Sequence, residues 1–259
     1  MIWKVIGQSV IGSSHIQSDK TCEDAVHYEI IELVDDEALI CFVSDGAGSA
    51  KYAARASETA VTQSVAILRE LVSNVVEVDE QHLLALAENI YDTLKAFADE
   101  LQEPINEFSC TLLGFVILPQ KACFLQIGDG AIVKSDGNGY FTHIWWPHNG
   151  EYQNTTAFLI DDPNFPNLKI KIVEESIEEV AVFTDGLQML ALNNESEQVH
   201  QPFFNDLFKW LRKATDVEHI TILNIKLNEY LAGDIINNRT DDDKTLLLAT
   251  KVKHDAQGI

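Results

Sequence analysis

The sequence predicts an α+β fold, a four-layer α-β-β-α sandwich in which two mostly antiparallel sheets are flanked by helices. Three observations carry this expectation. Strand-like runs come in groups instead of alternating one by one with helices, which disfavours a doubly wound parallel sheet. Two long amphipathic helical patterns follow the third strand and more lie near the end, enough to cover two outer sheet faces. No Ser/Gly/Pro-rich linker, internal repeat or low-complexity tract interrupts the 259 residues, so one domain over 1–259 is expected.

Residues 2–11 and 25–34 read as strands, and 38–44 as a more buried one. From 50 to 72 the pattern is helical. Its first half is rich in alanine (Ala50, Ala53, Ala54, Ala56, Ala60), which lets a helix lie close on a sheet. A second helix covers 79–101, where Leu83, Leu86, Ala87, Ile90 and Leu94 recur at three-to-four spacing. Asp79 is placed to cap its start, and Pro104 stops the pattern. Strands resume at 110–118, 121–128, 131–134 and 140–145, with Pro119-Gln120 and Asp136-Gly137-Asn138-Gly139 as turns. Another strand is expected near 154–160, broken by Asp161-Asp162-Pro163-Asn164, and further strands at 168–173 and 179–184. Helical patterns at 186–192, 201–213 and 216–231 precede a last strand over 244–251. Trp145 and Trp146 read as core material, and the Glu-rich run Glu174–Glu179 as a solvated loop.

Apolar residues make up 46% of the chain and charged residues 23%, ordinary values for a globular protein. The net charge of −23 is not ordinary; it argues against nucleic-acid binding through a basic surface and against an anionic membrane. Cys22, Cys41, Cys110 and Cys123 show no Cys-x-x-Cys spacing, and three of them sit in apolar runs, as buried thiols of a reducing compartment do. Met1-Ile2-Trp3-Lys4 opens a strand-like segment without an apolar leader, and no run approaches the ~18 apolar residues of a membrane helix. A cytoplasmic monomer is expected.

Function is announced at the strand ends. The apolar runs Ile40–Ser44, Phe124–Gly128 and Val180–Thr184 each end in Asp-Gly: Asp45-Gly46, Asp129-Gly130 and Asp185-Gly186. A fourth run, Leu246–Ala249, is preceded by Asp241-Asp242-Asp243. Asp-Gly is also a hairpin dipeptide, and Asp136-Gly137 reads as only that. Asp45-Gly46 and Asp185-Gly186 instead lead into helical patterns, which a two-residue hairpin does not do. Carboxylates gathered from distant parts of a chain repel unless a cation lies between them, and oxygen ligands select Mg²⁺, Mn²⁺ or Ca²⁺. The Asp241–Asp243 triplet lacks the alternate spacing, central Gly and closing Glu of an EF-hand.

In chain order stand Glu23-Asp24, Asp45-Gly46, Gly128-Asp129, Thr184-Asp185-Gly186 and Asp242-Asp243-Lys244-Thr245. This series resembles the metal-dependent protein phosphatase 2C family, in its bacterial branch. Gly12-Ser13-Ser14-His15, Asp45-Gly46-Ala47-Gly48-Ser49 and Asn149–Thr156 add to the resemblance, which runs from about Gly12 to Ala249. It implies a centre of two Mn²⁺ or Mg²⁺ ions. Asp45 would bridge both, the Gly46 carbonyl would bind the second, and Asp185 and Asp242 would complete the shell of the first. Glu23 and Asp24 would hold metal-bound waters, and Asp129 with Asp185 would take a weaker third ion. The implied reaction removes phosphate from phosphoserine or phosphothreonine of a protein, the product of a serine/threonine kinase, by attack of a metal-bridging water. The absence of Cys-x5-Arg and Gly-x-Ser-x-Gly nucleophile patterns agrees.

Two positions depart from the family pattern. Its Arg four residues before the paired acid is Asp19 here, and the His after the bridging Asp-Gly is Ala47. His15, a candidate phosphate contact, and Lys20 are the nearby cations that could replace the Arg. These departures leave two other readings open: a phosphoprotein-binding regulatory module with weakened catalysis, and a hydrolase of small phosphate esters.

Overall fold

Nineteen regular elements follow one another in the structure, a computed structural model that describes residues 1–74, 77–147 and 156–252. Strand β1 (Ile2–Val10) leads through a short helix α1 (Ser13–Gln17) to β2 (Asp24–Glu32) and β3 (Glu37–Asp45). Two long helices follow, α2 (Ala53–Ser73) and α3 (Glu80–Leu101). Then come β4 (Leu112–Leu118), β5 (Lys121–Ile127), β6 (Ala131–Ser135), β7 (Phe141–His143), β8 (Lys169–Val173) and β9 (Glu179–Phe183). The last stretch holds α4 (Gln188–Ala191), a small ribbon of β10 (Leu192–Asn193) and β11 (Gln198–Val199), α5 (Gln201–Arg212), α6 (Val217–Leu231), α7 (Asp234–Asn237) and β12 (Lys244–Val252). One sheet has the order β1-β12-β9-β6-β7 and the other β2-β3-β4-β5-β8, with antiparallel pairing throughout. The expected α+β sandwich of antiparallel sheets is the observed fold.

Because side chains on a strand point alternately to the two faces, each central strand serves two cores. On β3, Leu39, Cys41 and Val43 face the second sheet, while Ile40 and Phe42 face α2 and α3. On β12, Leu247 and Ala249 lie between the sheets, while Leu246 and Leu248 lie under α5 and α6. Three large cores result, in four layers. Ala56 and Ala60 on α2 are fully buried against the sheet, as the alanine-rich pattern predicts. The Asp79 carboxylate accepts the His82 N–H at 3.0 Å and caps α3.

Three local expectations fail, each for a physical reason. Residues 156–160 form no strand: Leu159 donates one backbone bond to the Cys110 carbonyl, and Leu159 and Ile160 cap the α2/α3 core with side chains only. The rest of that expected strand, with His148 and most of the Asn149–Thr156 motif, lies outside the described residues. The helix expected at 186–192 is shorter, a 3₁₀ turn over Asp185–Leu187 running into the single turn of α4. Glu179 is no solvated loop residue; it is buried, and the Arg212 guanidinium grips both its oxygens at 2.6 Å. The Asp136 turn behaves as read, its Oδ1 accepting the Asn138 and Tyr140 N–H groups. Trp145 packs against the inter-sheet core and Trp146 against the core under α5.

Phe204 centres the α5 core, its ring 5.1 Å from Phe203, 5.5 Å from Phe141 and 5.8 Å from Phe183. Phe204→Ala is expected to lower the unfolding free energy by about 3–5 kcal/mol, measured by urea denaturation followed through tryptophan fluorescence. An unchanged midpoint would contradict this packing.

Candidate metal centre

Both sheets bring strand ends to one edge of the sandwich, and the acidic residues stand on those ends. Asp24 opens β2 directly opposite Asp45, the last residue of β3. Asp45 is pinned by its own backbone: its N–H donates to the Thr111 hydroxyl at 2.9 Å and its carbonyl accepts the Thr111 N–H at 2.8 Å. Asp185 follows β9 and starts the 3₁₀ turn, and Asp241–Asp243 lead into β12, the neighbour of β9. Those two ends touch at Gly186, where a Cβ would stand 2.0 Å from the Asp243 carbonyl oxygen, so no side chain is tolerated. Asp129 lies in the β5–β6 loop after Gly128, whose φ of 123° belongs to the glycine-favouring region.

One carboxylate oxygen from each of Asp45, Asp129 and Asp185 lies within 4.8 Å of the other two. Burial, the mutual charges and a shared hydrogen bond show in their titration. Burial first, then the Asp24, Asp185 and Asp242 charges, push the Asp45 carboxyl well above the usual range, and it donates a hydrogen bond to Asp185. Burial and the charges of Asp129 and Asp242 raise Asp185 to about 7. Without a cation, the group relieves its repulsion by keeping protons. The donor set is all oxygen, suited to a hard divalent ion. Among the described residues nothing donates to the Gly46 carbonyl, whose N–H bonds the Glu23 carbonyl at 3.1 Å. That carbonyl is therefore available to a cation, and the residues present fit the implied ions.

Around this group runs a set of acids already answered by protein donors. Asp24 Oδ2 accepts the hydroxyls of Thr184 at 2.7 Å and Thr245 at 2.8 Å. Burial still lifts its carboxyl to about 8, the two hydroxyls opposing that rise. Asp243 is buried and accepts the Gly12 N–H at 2.6 Å and the Glu23 N–H at 2.5 Å, and His15 Nδ1 lies 2.9 Å from its Oδ2. His15 Nε2 is 3.5 Å from one Glu23 oxygen, and Lys20 Nζ is 3.1 Å from the other. Asp129 Oδ2 accepts the Thr156 hydroxyl at 2.6 Å, and the Gln188 amide donates to its backbone carbonyl.

All the acids singled out in the sequence therefore reach one edge, though not on equal terms. Asp129, expected only beside a third ion, belongs to the tightest group, whereas Asp242 stands exposed at the rim outside it. Partial burial raises its carboxyl too, and its charge is felt by Asp45 and Asp185. Both ring nitrogens of His15 face carboxylates, which does not favour it as a phosphate contact. Arg55 stacks its guanidinium over the Phe97 ring, 4.0 Å from the centroid, as a structural residue. Sequence reasoning missed Asp243 as the internal tie, and Thr111, Thr184 and Thr245 as holders of Asp45 and Asp24. The only signal was position: both latter threonines flank the Asp185 and Asp242 motifs.

A family model described as protein phosphatase 2C matches residues 11–232. The chain is 36% identical over 252 residues to Serine/threonine-protein phosphatase 3 of Escherichia coli (strain K12), covering 96% of this chain and 98% of that protein. The crystal structure of the catalytic domain of the serine threonine protein phosphatase PstP, in complex with 2 manganese ions, aligns with a TM-score of 0.62 at 17% identity, over 97% of this chain and 99% of that one. Serine/threonine phosphatase Stp1 from Staphylococcus aureus aligns with a TM-score of 0.60 at 16% identity, over 98% and 96%. At such identities the solved structures speak to the fold.

The raised carboxyls have a consequence for stability. Asp24, Asp45 and Asp185 titrate above the unfolded value near 3.9. Between about pH 4 and pH 7–8 the folded metal-free protein therefore binds more protons than the unfolded chain, and these groups lose it stability as pH rises. In EDTA-treated protein, Asp185→Asn is expected to gain more melting temperature over wild type at pH 8 than at pH 5. Mn²⁺ should stabilise wild type more at pH 8 than at pH 5. A pH-independent difference in thermal melts would contradict the gathered carboxylates.

Proposed function

The chain belongs to the protein phosphatase 2C family, and on that premise we propose that it is a protein serine/threonine phosphatase dependent on Mn²⁺ or Mg²⁺. It is a hydrolase whose substrates are phosphoserine and phosphothreonine in phosphorylated proteins. The observation that supports this most is the oxygen-only cluster of Asp45, Asp129 and Asp185. Asp45, the Gly46 carbonyl, Asp185 and Asp242 would hold two ions, and Asp129 with Asp185 a third. When bound, such ions supply an activated water at neutral pH and neutralise phosphoryl charge.

The chain's own residues set the geometry. Thr184 and Thr245 both bond Asp24 Oδ2, which leaves Oδ1 to orient a water beside Asp45. Asp243 fixes the backbone of Glu23 and Gly12, holding Glu23 at the rim with its carboxylate between His15 and Lys20. Thr111 holds the Asp45 backbone from both sides. Such partners of ligand residues typically matter by 10–100-fold in metal affinity or activity.

The same reading takes the chain as one catalytic domain, a cytoplasmic monomer opposing a serine/threonine kinase. Three continuous cores built from both halves of the chain support the single domain. Among the described residues no helix is long and apolar enough to cross a membrane. The charge of −23 supports a partner other than nucleic acid. Nothing among the described residues favours the regulatory-module or small-ester readings.

The purified protein is expected to release phosphate from a phosphoserine peptide with Mn²⁺ present and to stop when EDTA is added. Asp45→Asn should abolish release, and Thr245→Val should reduce Mn²⁺ affinity or turnover about 10–100-fold. Equal release with and without EDTA, or by wild type and Asp45→Asn, would refute the proposal.

A further inference from the structure

We propose that Lys20 binds the phosphoryl oxygens of the substrate, an assignment that rests on the phosphatase reading above. A phosphomonoester approaching this edge meets Asp45, Asp129, Asp185, Asp242 and Glu23 on a chain of net charge −23. Ions between the inner carboxylates answer those carboxylates first. A dianion is held beside them best by a basic side chain that is near, accessible and still has a donor to offer.

The other basic side chains around the edge fail one of those conditions. Arg55 is stacked on Phe97, and Lys51 is paired with Glu103. Lys244 is fully buried, its Nζ bonding Asn237 Oδ1 at 2.8 Å and the Ile11 carbonyl at 3.4 Å. His15 is only 13% exposed, with Nδ1 on Asp243 and Nε2 toward Glu23, so both ring nitrogens are engaged. Lys20 meets all three conditions. Its side chain is 35% exposed, and its Nζ lies 3.1 Å from Glu23 Oε1 and 2.6 Å from the Gly48 carbonyl. An ammonium carries three N–H donors, and these two contacts leave one without a close protein partner among the described residues.

The backbone keeps it there. Asp19 closes α1 in the left-handed region, φ 55°, and the Lys20 N–H returns to the His15 carbonyl at 2.9 Å. A non-glycine residue rarely takes that conformation, so the turn that aims Lys20 back across Glu23 is held by its surroundings. Gly48 is the exposed lip three residues after Asp45, and a Cβ there would lie 3.8 Å from both Glu23 Oε2 and His15 Nε2. Lys20 thus spans from the α1 turn to the Asp45 turn, with its charge at the mouth of the carboxylate group. A phosphoryl oxygen there can take the free N–H, or replace the Gly48 carbonyl on the ammonium.

The test separates phosphate binding from a mere tether of the Gly48 lip. Inorganic phosphate is titrated calorimetrically into Mn²⁺-loaded wild type, Lys20→Ala and Lys20→Arg, and Mn²⁺ affinity is measured on each. Lys20→Ala is expected to weaken phosphate binding about tenfold or more, to raise KM for a phosphoserine peptide similarly, and to bind Mn²⁺ no more weakly than wild type. Lys20→Arg should recover most of the phosphate affinity. Unchanged phosphate binding in Lys20→Ala, or a loss that only follows lost Mn²⁺ affinity, would overturn the assignment while wild-type Mn²⁺-dependent turnover kept the phosphatase reading intact. Absence of that turnover would remove both.

Discussion

Repulsion between carboxylates governs this edge of the molecule. Asp45, Asp129 and Asp185 come from different strand ends, yet their oxygens lie within 4.8 Å of one another. In a half-buried setting, such charges coexist only through shared protons or an intervening cation. The structure displays the first solution, with the Asp45 carboxyl bonded to Asp185 and both carboxyls raised. A fold selected for stability alone has no reason to converge three acids on one point. The convergence makes sense when a divalent ion is the missing partner, because the ion removes the repulsion and the need for protons together.

Holding that arrangement requires stiffness elsewhere, and the sandwich provides it. The acids sit on the ends of strands whose bodies are buried on both faces: β3 between the inter-sheet core and α2/α3, and β9 and β12 between the inter-sheet core and α5. A strand packed on two sides has little freedom to slide, since a one-residue slip would turn its whole apolar set to the wrong face. The long pairing of β1 with β12, from Ile2 opposite Val252 to Val10 opposite Lys244, fixes where the Asp241–Asp243 lead-in emerges. The inner acids therefore cannot relax apart by local movement. Their repulsion is carried by three cores.

The fold was legible in the sequence because two-residue and three-to-four-residue periodicities report burial directly, and this chain buries both faces of its sheets. Residues 156–160 misled the reading, since Ala157, Phe158, Leu159 and Ile160 are apolar enough for a strand but spend that character on capping a core. Glu179 misled it in the opposite sense: a charged residue in a Glu-rich run is buried because Arg212, 33 positions away, meets it with a two-pronged bond. The acids themselves were legible because Asp-Gly after an apolar run is a local signal. Their ranking was not. Whether Asp129 or Asp242 lies closer to Asp45 depends on how two sheets stack, which no local pattern encodes. Asp243 hid inside a triplet that reads as a solvated turn, and only the fold shows it buried against Gly12, Glu23 and His15.

The acids of the edge divide according to what answers their charge. Asp24 has two threonine hydroxyls, Asp243 has two backbone N–H groups and His15, and Glu23 has His15 and Lys20. Asp45 and Asp185 have chiefly each other, and Asp129 has one hydroxyl from Thr156. An acid satisfied by protein donors is a fixed fitting, able to orient water but a poor first ligand, because a cation would have to displace good hydrogen bonds. An acid whose nearest neighbours are other acids gains most from a cation. On this partition the ions belong among the inner group, and the outer acids set the position of what surrounds them. His15 and Lys20 follow the same logic, arriving together on one short segment after β1. His15 is spent on neutralising the outer acids, whereas the ammonium of Lys20 keeps one donor facing whatever the ions attract.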